Sequence, residues 1–206
     1  MDIRNTRLNP DTYFHIFNRG INGDKVFFEE KSYSYFLKQY AKYVNPFVDT
    51  FAYCLLSNHF HFLIRVRSAE ELDTAVKKNL DKPHCWHVSN GFSSWLQSYT
   101  RAVNKMYNRT GSLFESPFKR IQVVDDAHFT QLISYIHQNP QKHGLVKDYR
   151  EYPHSSYHAH LLEYKSSKLR RAEVLEWFGG NGGYIRFHQE QQKGLEELMN
   201  ESWFME

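Results

Sequence analysis

Residues 57–66 read SNHFHFLIRV, with two histidines in step with two phenylalanines. A β-strand sends successive side chains to opposite faces. His59 and His61 therefore share one face with Arg65 and Arg67, while Phe60 and Phe62 share the other. The phenylalanine face reads as core. Residues i and i+2 of a strand stand about 6.6 Å apart at Cα. Two imidazoles at that spacing can converge on one ion, because bonds from nitrogen to a zinc-like metal are about 2.0–2.1 Å long. Two ligands leave coordination positions open, which suits catalysis better than structural support. A pair of half-exposed strand histidines with no ligand is the alternative reading of the same ten residues.

The segments around this stretch set its partners. FVDTFAYCLL, residues 47–56, reads as a second strand, and Ser57-Asn58 as the tight turn that pairs the two antiparallel. TYFHIFNRG, 12–20, alternates and ends at Gly20, so it reads as a further strand. EEKSYSYFLKQYAKYV, 29–44, has helical spacing, with Tyr33, Phe36, Leu37, Tyr40 and Val44 on one side, and stops before Asn45-Pro46. AEELDTAVKKNL, 69–80, is helical, and DKPHCWHVSNG, 81–91, reads as a loop broken by Pro83 and Gly91. SSWLQSYTRAVNKMYNR, 93–109, is an amphipathic helix expected to bury Trp95, Tyr99, Ala102, Val103 and Met106. After a bend at Pro117, KRIQVV reads as a short strand. DDAHFTQLISYIHQN, 125–139, is a helix with two aspartates at its N-terminus, where negative charge is favoured, and Pro140 at its end. This order predicts an α+β fold with helices on one face of a mostly antiparallel sheet.

The division expected is a main domain over 1–160 and a C-terminal extension over 161–206. FGGNGGYIRF places four glycines in the five residues 179–183, read as a flexible joint. Residues 189–206 carry five glutamates against one lysine, read as an acidic, partly helical tail. With 206 residues of which 41% are apolar, the chain can build a sizeable core and is not globally disordered. The net charge of +3 permits nucleic acid without demanding it. Two cysteines, Cys54 and Cys85, exclude a disulfide framework and suggest a reducing, cytoplasmic compartment. No apolar run is long enough to span a bilayer, and MDIRNTRLNP lacks an apolar signal segment, so no membrane association is expected.

Two further constellations could carry chemistry. In SYIHQNP, 134–140, Tyr135 and Asn139 stand four apart on one helix face. A tyrosine can act as a nucleophile when its ionisation is assisted; a core tyrosine is the alternative. Residues before proline avoid the helical region, which leaves Gln138 open as the ligand in place of Asn139. The second is a basic strip, in which Arg101, Lys105 and Arg109 recur every four residues, followed by Lys119 and Arg120, with Glu115 the lone acid between 93 and 120. Backbone phosphates are the obvious partner, and a solvated helix face is the bland one. Arg65 and Arg67, on the face of the histidine pair, would surround an ion there with positive charge. His84 and His87 lack a second ligand pair nearby, His154, His158 and His160 read as surface residues, and both cysteines read as inert.

NHFHFLI after FAYCLLS resembles the histidine–hydrophobic–histidine strand of single-tyrosine transposases. SYIHQNPQKHGLV resembles their tyrosine-helix motif, and YPHSSY the segment that follows it in the REP-associated branch. FHIFNRG and GSLFESPFKR match as well, so the resemblance runs in order over about residues 10–160. It implies a ferredoxin-like or RRM-like domain acting on single-stranded, hairpin-forming DNA. By that resemblance Tyr135 is the nucleophile, and His59, His61 and Asn139 hold Mg²⁺ or Mn²⁺. Arg65, Arg67, Arg101, Lys105, Arg109, Lys119 and Arg120 would then contact DNA. Imidazole prefers softer ions than Mg²⁺, so firm binding is expected only with DNA present, with Mn²⁺ effective. Asn139, where insertion-sequence relatives often use glutamine, favours the REP-associated branch. The implied activity is cleavage and rejoining of DNA through a 5′-phosphotyrosine, by a monomer or a homodimer. A water-using, metal-dependent nuclease and a non-catalytic hairpin-binding protein are the alternatives.

Overall fold

The computed structural model describes residues 6–162 and 167–198. Four strands form one sheet: β1 (Tyr13–Arg19), β2 (Val48–Leu55), β3 (His59–Val66) and β4 (Lys119–Val123). Their order is β2-β3-β1-β4 and every pairing is antiparallel. With helices α1 (Glu30–Tyr43) and α3 (His84–Met106) in the crossovers, this is the ferredoxin-like α+β arrangement. The Ser57-Asn58 turn pairs β2 with β3 as expected, with a register shift between Thr50 and Ala52.

Alternation dictates which residues each face buries. Phe14 and Ile16 of β1 and Phe60, Phe62 and Ile64 of β3 point to one side. There they meet Phe36 and Tyr40 of α1 and Trp95 and Tyr99 of α3. Burying each such side chain contributes about 1.5–3 kcal/mol. The polar ends in this core are satisfied: Trp95 Nε1 donates to the Phe36 carbonyl at 3.1 Å, and the Tyr99 hydroxyl donates to the Val26 carbonyl at 2.7 Å.

Helices do not stay on that one face. α4 (Asp126–Lys142), capped by the Asp125 side chain accepting from the His128 amide at 2.7 Å, packs on the opposite face. Its Phe129, Leu132, Ile133 and Ile136 join Cys54 and Leu63 of the sheet in a second core. That core extends into the C-terminal segment through Tyr149, Tyr157, Val174 and Tyr184. This face needed a second cover because Leu63, Ala52 and Cys54 point into it and are apolar.

Several boundaries differ from the sequence expectation. α3 begins at His84, so most of the expected 81–91 loop is helical. Gly91 is a helix residue at a close approach: a Cβ there would lie 2.7 Å from the Tyr43 carbonyl oxygen and 3.1 Å from the Phe47 ring. Met106 of the expected buried stripe is exposed. α2 (Ala69–Ala75), with its Ser68–Glu71 capping box, ends earlier than expected. α4 runs through Pro140 to Lys142 and closes on Gly144, whose φ of +68° suits the left-handed end of a helix.

The C-terminal segment holds α5 (Tyr157–Leu161), α6 (Arg171–Trp177) and α7 (Asn181–Leu198). The glycines expected to be a flexible joint form the α6–α7 corner: Gly179 and Gly180 have positive φ, and a Cβ on Gly183 would meet the Phe178 carbonyl oxygen. The first part of the expected acidic tail lies in α7; residues 199–206 fall outside the described residues. No helix among the described residues is long and apolar enough to cross a membrane.

Candidate active site

Directly opposed residues of an antiparallel pair share a face. The register sets His61 of β3 against Phe17 of β1, and Phe17 against Lys119 of β4. His59 stands against Arg19. One face thus carries His59, His61, His15, Phe17, Arg19 and Lys119 as neighbours. The His59 and His61 rings are 5.2 Å apart and nearly perpendicular, at 85°. Both side chains are buried.

Opposite this face runs one stripe of α4. Tyr135, Asn139, Lys142 and His143 fall at i, i+4, i+7 and i+8, on the same side of a helix. The Tyr135 ring is 5.9 Å from His61 and 6.3 Å from His15, edge-on to each. The His143 ring is 4.9 Å from His59. Lys142 places its ammonium 4.9 Å from the centre of the Tyr135 ring. The phenol and the histidine pair are therefore brought together within one chain.

The amide of Asn139 is fully buried; its nitrogen reaches the Tyr135 carbonyl at 3.4 Å, and among the described residues its Oδ1 has no hydrogen-bond partner. Gln138 faces the other way, its amide donating to Ser134 Oγ at 2.9 Å and to the His188 carbonyl at 2.7 Å. Of the two amides left open by the sequence, Asn139 is the one on the Tyr135 stripe. Among the described residues no group of three or more His, Cys, Asp or Glu is arranged to hold a metal. Two imidazoles and one amide oxygen are nevertheless a donor set that could hold a divalent ion, with positions left for phosphate oxygens and water.

The electrostatics keep His61 and His15 neutral. Burial, then the nearby His143 and Lys142, push His61 down to about 3. His15 is lowered by burial first, then by His61 and His128. Neutral imidazole is the form that binds a cation.

The basic residues separate into groups. Arg65 lies about 13 Å along the strand from His61 and pairs with Asp49 at 2.6 Å, and Arg67 reaches the same carboxylate at 3.6 Å. The single carboxylate of buried Asp49 therefore offsets part of the positive charge expected to surround the ion. Arg120 is buried on the core side, its guanidinium 4.2 Å from the Phe118 ring and 3.2 Å from Ser89 Oγ. Lys119 is on the histidine face, 5.5 Å from the Phe17 ring centre and 3.7 Å from Glu115. Arg101 and Lys105 are exposed on α3, and Arg109 holds the Asn104 side chain at 3.1 Å.

Sequence reasoning missed His15, Lys142 and His143. Alternation does place His15 with Phe17 on one face of β1, but which β3 residues it meets needed the register. Lys142 and His143 lie beyond Pro140, where the helix was expected to stop. Elsewhere, His84 bonds Asp73 Oδ1 at 2.8 Å and His87 approaches the Asn79 carbonyl at 3.1 Å. His160, expected at the surface, is fully buried. His154 stacks flat on Tyr33.

No protein-family model matches the chain. A protein of Haemophilus influenzae whose name assigns it to the REP-associated tyrosine transposases is 28% identical over 140 residues, covering 66% of this chain and 69% of that protein. A solved structure of a REP-associated tyrosine transposase bound to a REP hairpin matches with a TM-score of 0.57 at 15% identity, over 82% of this chain and 89% of that one. In sequence and, separately, in fold, the chain is similar to the REP-associated tyrosine transposases, the branch that its motifs resemble.

Proposed function

We propose that this protein cleaves and rejoins single-stranded DNA beside a REP-type hairpin through a covalent bond to Tyr135. The observation that carries the reading is the pairing of two surfaces: the Tyr135–Asn139 stripe of α4 set against His59 and His61 of β3, with a buried amide oxygen of Asn139 that has no hydrogen-bond partner among the described residues. His59, His61 and Asn139 would hold Mg²⁺ or Mn²⁺. When bound, such an ion supplies Lewis-acid polarisation of the scissile phosphate.

The chain's own residues do the rest. The Tyr135 oxygen attacks phosphorus, and the bond from phosphorus to the 3′-oxygen breaks. The phenol loses its proton and the departing 3′-hydroxyl gains one. A 5′-phosphotyrosine remains, and attack by a 3′-hydroxyl reverses the step, so no nucleotide cofactor is consumed. Lys142, beside the Tyr135 ring, favours the phenolate electrostatically. Lys119 on the same face, with Arg101 and Lys105 on α3 and Arg109 just beyond its end, would take backbone phosphates. Arg65, Arg67 and Arg120 are held by Asp49, Ser89 and Phe118 and would support the fold.

Labelled single-stranded hairpins incubated with the protein and Mn²⁺ should yield a covalent protein–DNA band on a denaturing gel. Tyr135→Phe should bind the same DNA and give no band. An adduct that survives this change removes Tyr135 from its role. Cleavage without an adduct would point to a water-using nuclease. Binding without cleavage, unaffected by replacing His59, His61 and Tyr135, would point to a hairpin-binding protein.

A further inference from the structure

Among the described residues nine large apolar side chains are exposed, and five of them, Phe28, Tyr35, Met106, Tyr107 and Leu145, line two grooves. Scattered exposed apolar residues are ordinary, whereas a cluster marks a surface that binds something. The first groove, of about 420 Å³, is lined by Phe28, Lys25, Ser57 and Leu145. Ser57 and Leu145 stand two residues from His59 and His143 of the candidate site. The second groove, of about 620 Å³, lies between the start of α1 and the end of α3 and is lined by Tyr35, Lys105, Met106 and Tyr107. Glu29 lines both, so the grooves adjoin.

A pair of rings stands where they meet. Phe28, on the first groove, stacks on Tyr107, on the second, with ring centres 4.5 Å apart at 29°. Both rings are held. Val26 N and Phe27 N donate to the Ser57 carbonyl at 2.8 and 3.0 Å, which fixes the segment before Phe28 against the β2–β3 turn. The Tyr99 hydroxyl ties α3 to the same segment through the Val26 carbonyl at 2.7 Å. Tyr107 donates from its backbone N to the Val103 carbonyl at 2.9 Å and from its hydroxyl to Glu29 Oε1 at 2.9 Å. A ring pair fixed in this way loses little freedom when a flat partner extends the stack.

The surroundings say what that partner is. Flat exposed rings beside cations suit the unpaired bases of a single strand, which stack whatever their sequence while lysines take the phosphates. Lys25 lines the first groove, and Lys31 and Lys105 line the second. Of the two acids here, Glu29 is offset by Lys31 Nζ at 3.2 Å, and Glu30 is largely exposed, 3.3 Å from His154. One end of the pair of grooves adjoins the candidate active site, and the other reaches Lys105 on the cationic strip of α3.

We propose that the Phe28–Tyr107 pair is a stacking step for unpaired bases of the DNA strand that flanks the hairpin. The proposal rests on the reading of this protein as one that acts on such strands, and it adds a binding site apart from the reacting atoms.

The test uses the full chain carrying Tyr135→Phe, so that cleavage does not shorten the probe. The probes are one DNA hairpin, either bare or extended on each side by a single strand of mixed sequence, with 2-aminopurine replacing one flanking base at a time. By fluorescence anisotropy the extended hairpin should bind more tightly than the bare one, and 2-aminopurine should be quenched in the complex at particular flank positions. Phe28→Ala and Tyr107→Ala should each weaken binding of the extended hairpin about 5- to 150-fold, the range for one lost stacked base, and relieve the quenching. Affinity for the bare hairpin should not change. Tyr107→Phe keeps the ring and should keep affinity and quenching; a loss as large as that of Tyr107→Ala overturns the stacking role. An equal fall for bare and extended DNA also overturns it, by making the pair structural. So do equal affinities of the unmodified site for the two hairpins, or quenching at no position, which would leave the patch to a partner protein or a second copy of the chain. The covalent band is scored separately with Tyr135 present. A band with no effect of the flank sinks the stacking step alone; a flank effect with no band sinks the covalent reaction and leaves the stacking step standing. A chain that binds neither hairpin fails both.

Discussion

The Oδ1 of Asn139 is buried without a hydrogen-bond partner among the described residues. Such an atom costs about 1–3 kcal/mol. On the proposed reading of the site, this atom contributes only when a cation is bound. Asn139→Leu should therefore leave the fold as stable as the wild type or slightly more so in urea titrations. It should also weaken Mn²⁺ binding; a clear loss of stability would mean that the amide is structural. Lys142 poses the complementary case, a cation beside a phenol. Lys142→Gln should slow adduct formation by about 10²-fold, the scale for removing one preorganised electrostatic group. DNA affinity measured by fluorescence anisotropy should change little. An unchanged adduct rate would assign Lys142 to packing against the Tyr135 ring alone.

At the scale of elements, α4 is held from both sides. One stripe faces the histidines, and the residues between those of the stripe, His137 and Gln138, face α7. His137 Nδ1 lies 2.9 Å from His188 Nε2, its Nε2 lies 2.7 Å from Ser156 Oγ, and Gln138 reaches the His188 carbonyl. The extension is thus a clamp on the tyrosine-bearing helix. His188→Ala removes a partner from buried His137 and opens a cavity, which together should destabilise the protein by roughly 2–4 kcal/mol in urea titrations. Amide exchange should rise first in α4 and α7. Exchange that rises uniformly would show that α7 is no separate clamp. The helix break expected at Pro140 did not occur because the ring is buried and the chain beyond it is secured: His143 N donates to the Asn139 carbonyl at 2.9 Å and Leu145 N to the Pro140 carbonyl at 2.9 Å.

For the molecule as a whole, the buried histidines tie stability to pH. Burial pushes His160 down to about 3 and His188 down to about 4. His160 faces His137 and Tyr184 and senses His188 and Arg171; His188 faces His137, Tyr149, Tyr157 and Tyr184. In the unfolded chain both would bind protons near 6.5. Between that value and the folded ones the unfolded state holds more protons, so stability rises with pH. The stability is complete above about pH 6.5 and is lost as pH falls towards 4 and then 3, at up to about 1.4 kcal/mol per pH unit for each histidine. Urea midpoints from pH 7 to 4 should show the decline, and His188→Gln should flatten it; a flat wild-type profile would mean that the cluster is open to water.

SYIHQNPQKHGLV singled out Tyr135 and Asn139 by its resemblance to a tyrosine-helix motif, with Gln138 left open beside them; the alternation in NHFHFLI, the aromatic helix stripes and the SN turn were enough to determine the antiparallel sheet, its helices and the shared face of His59 and His61. These depend on local periodicity, which is written in consecutive residues. The placement of Asn139 rather than Gln138 on the Tyr135 stripe, the pairing of Arg65 and Arg67 with Asp49 and of Arg120 with Ser89 and Phe118, and the approach of His15 to His61 and of Lys142 to Tyr135 were decided only by tertiary structure. Each of these depends on register, on which face a helix turns inward, or on a partner distant in the chain. A carboxylate such as Asp49 gives no sign in sequence of the arginines it will hold. The second core and the clamp by α7 likewise arose because Leu63, Ala52 and Cys54 left an apolar face that only distant segments could cover.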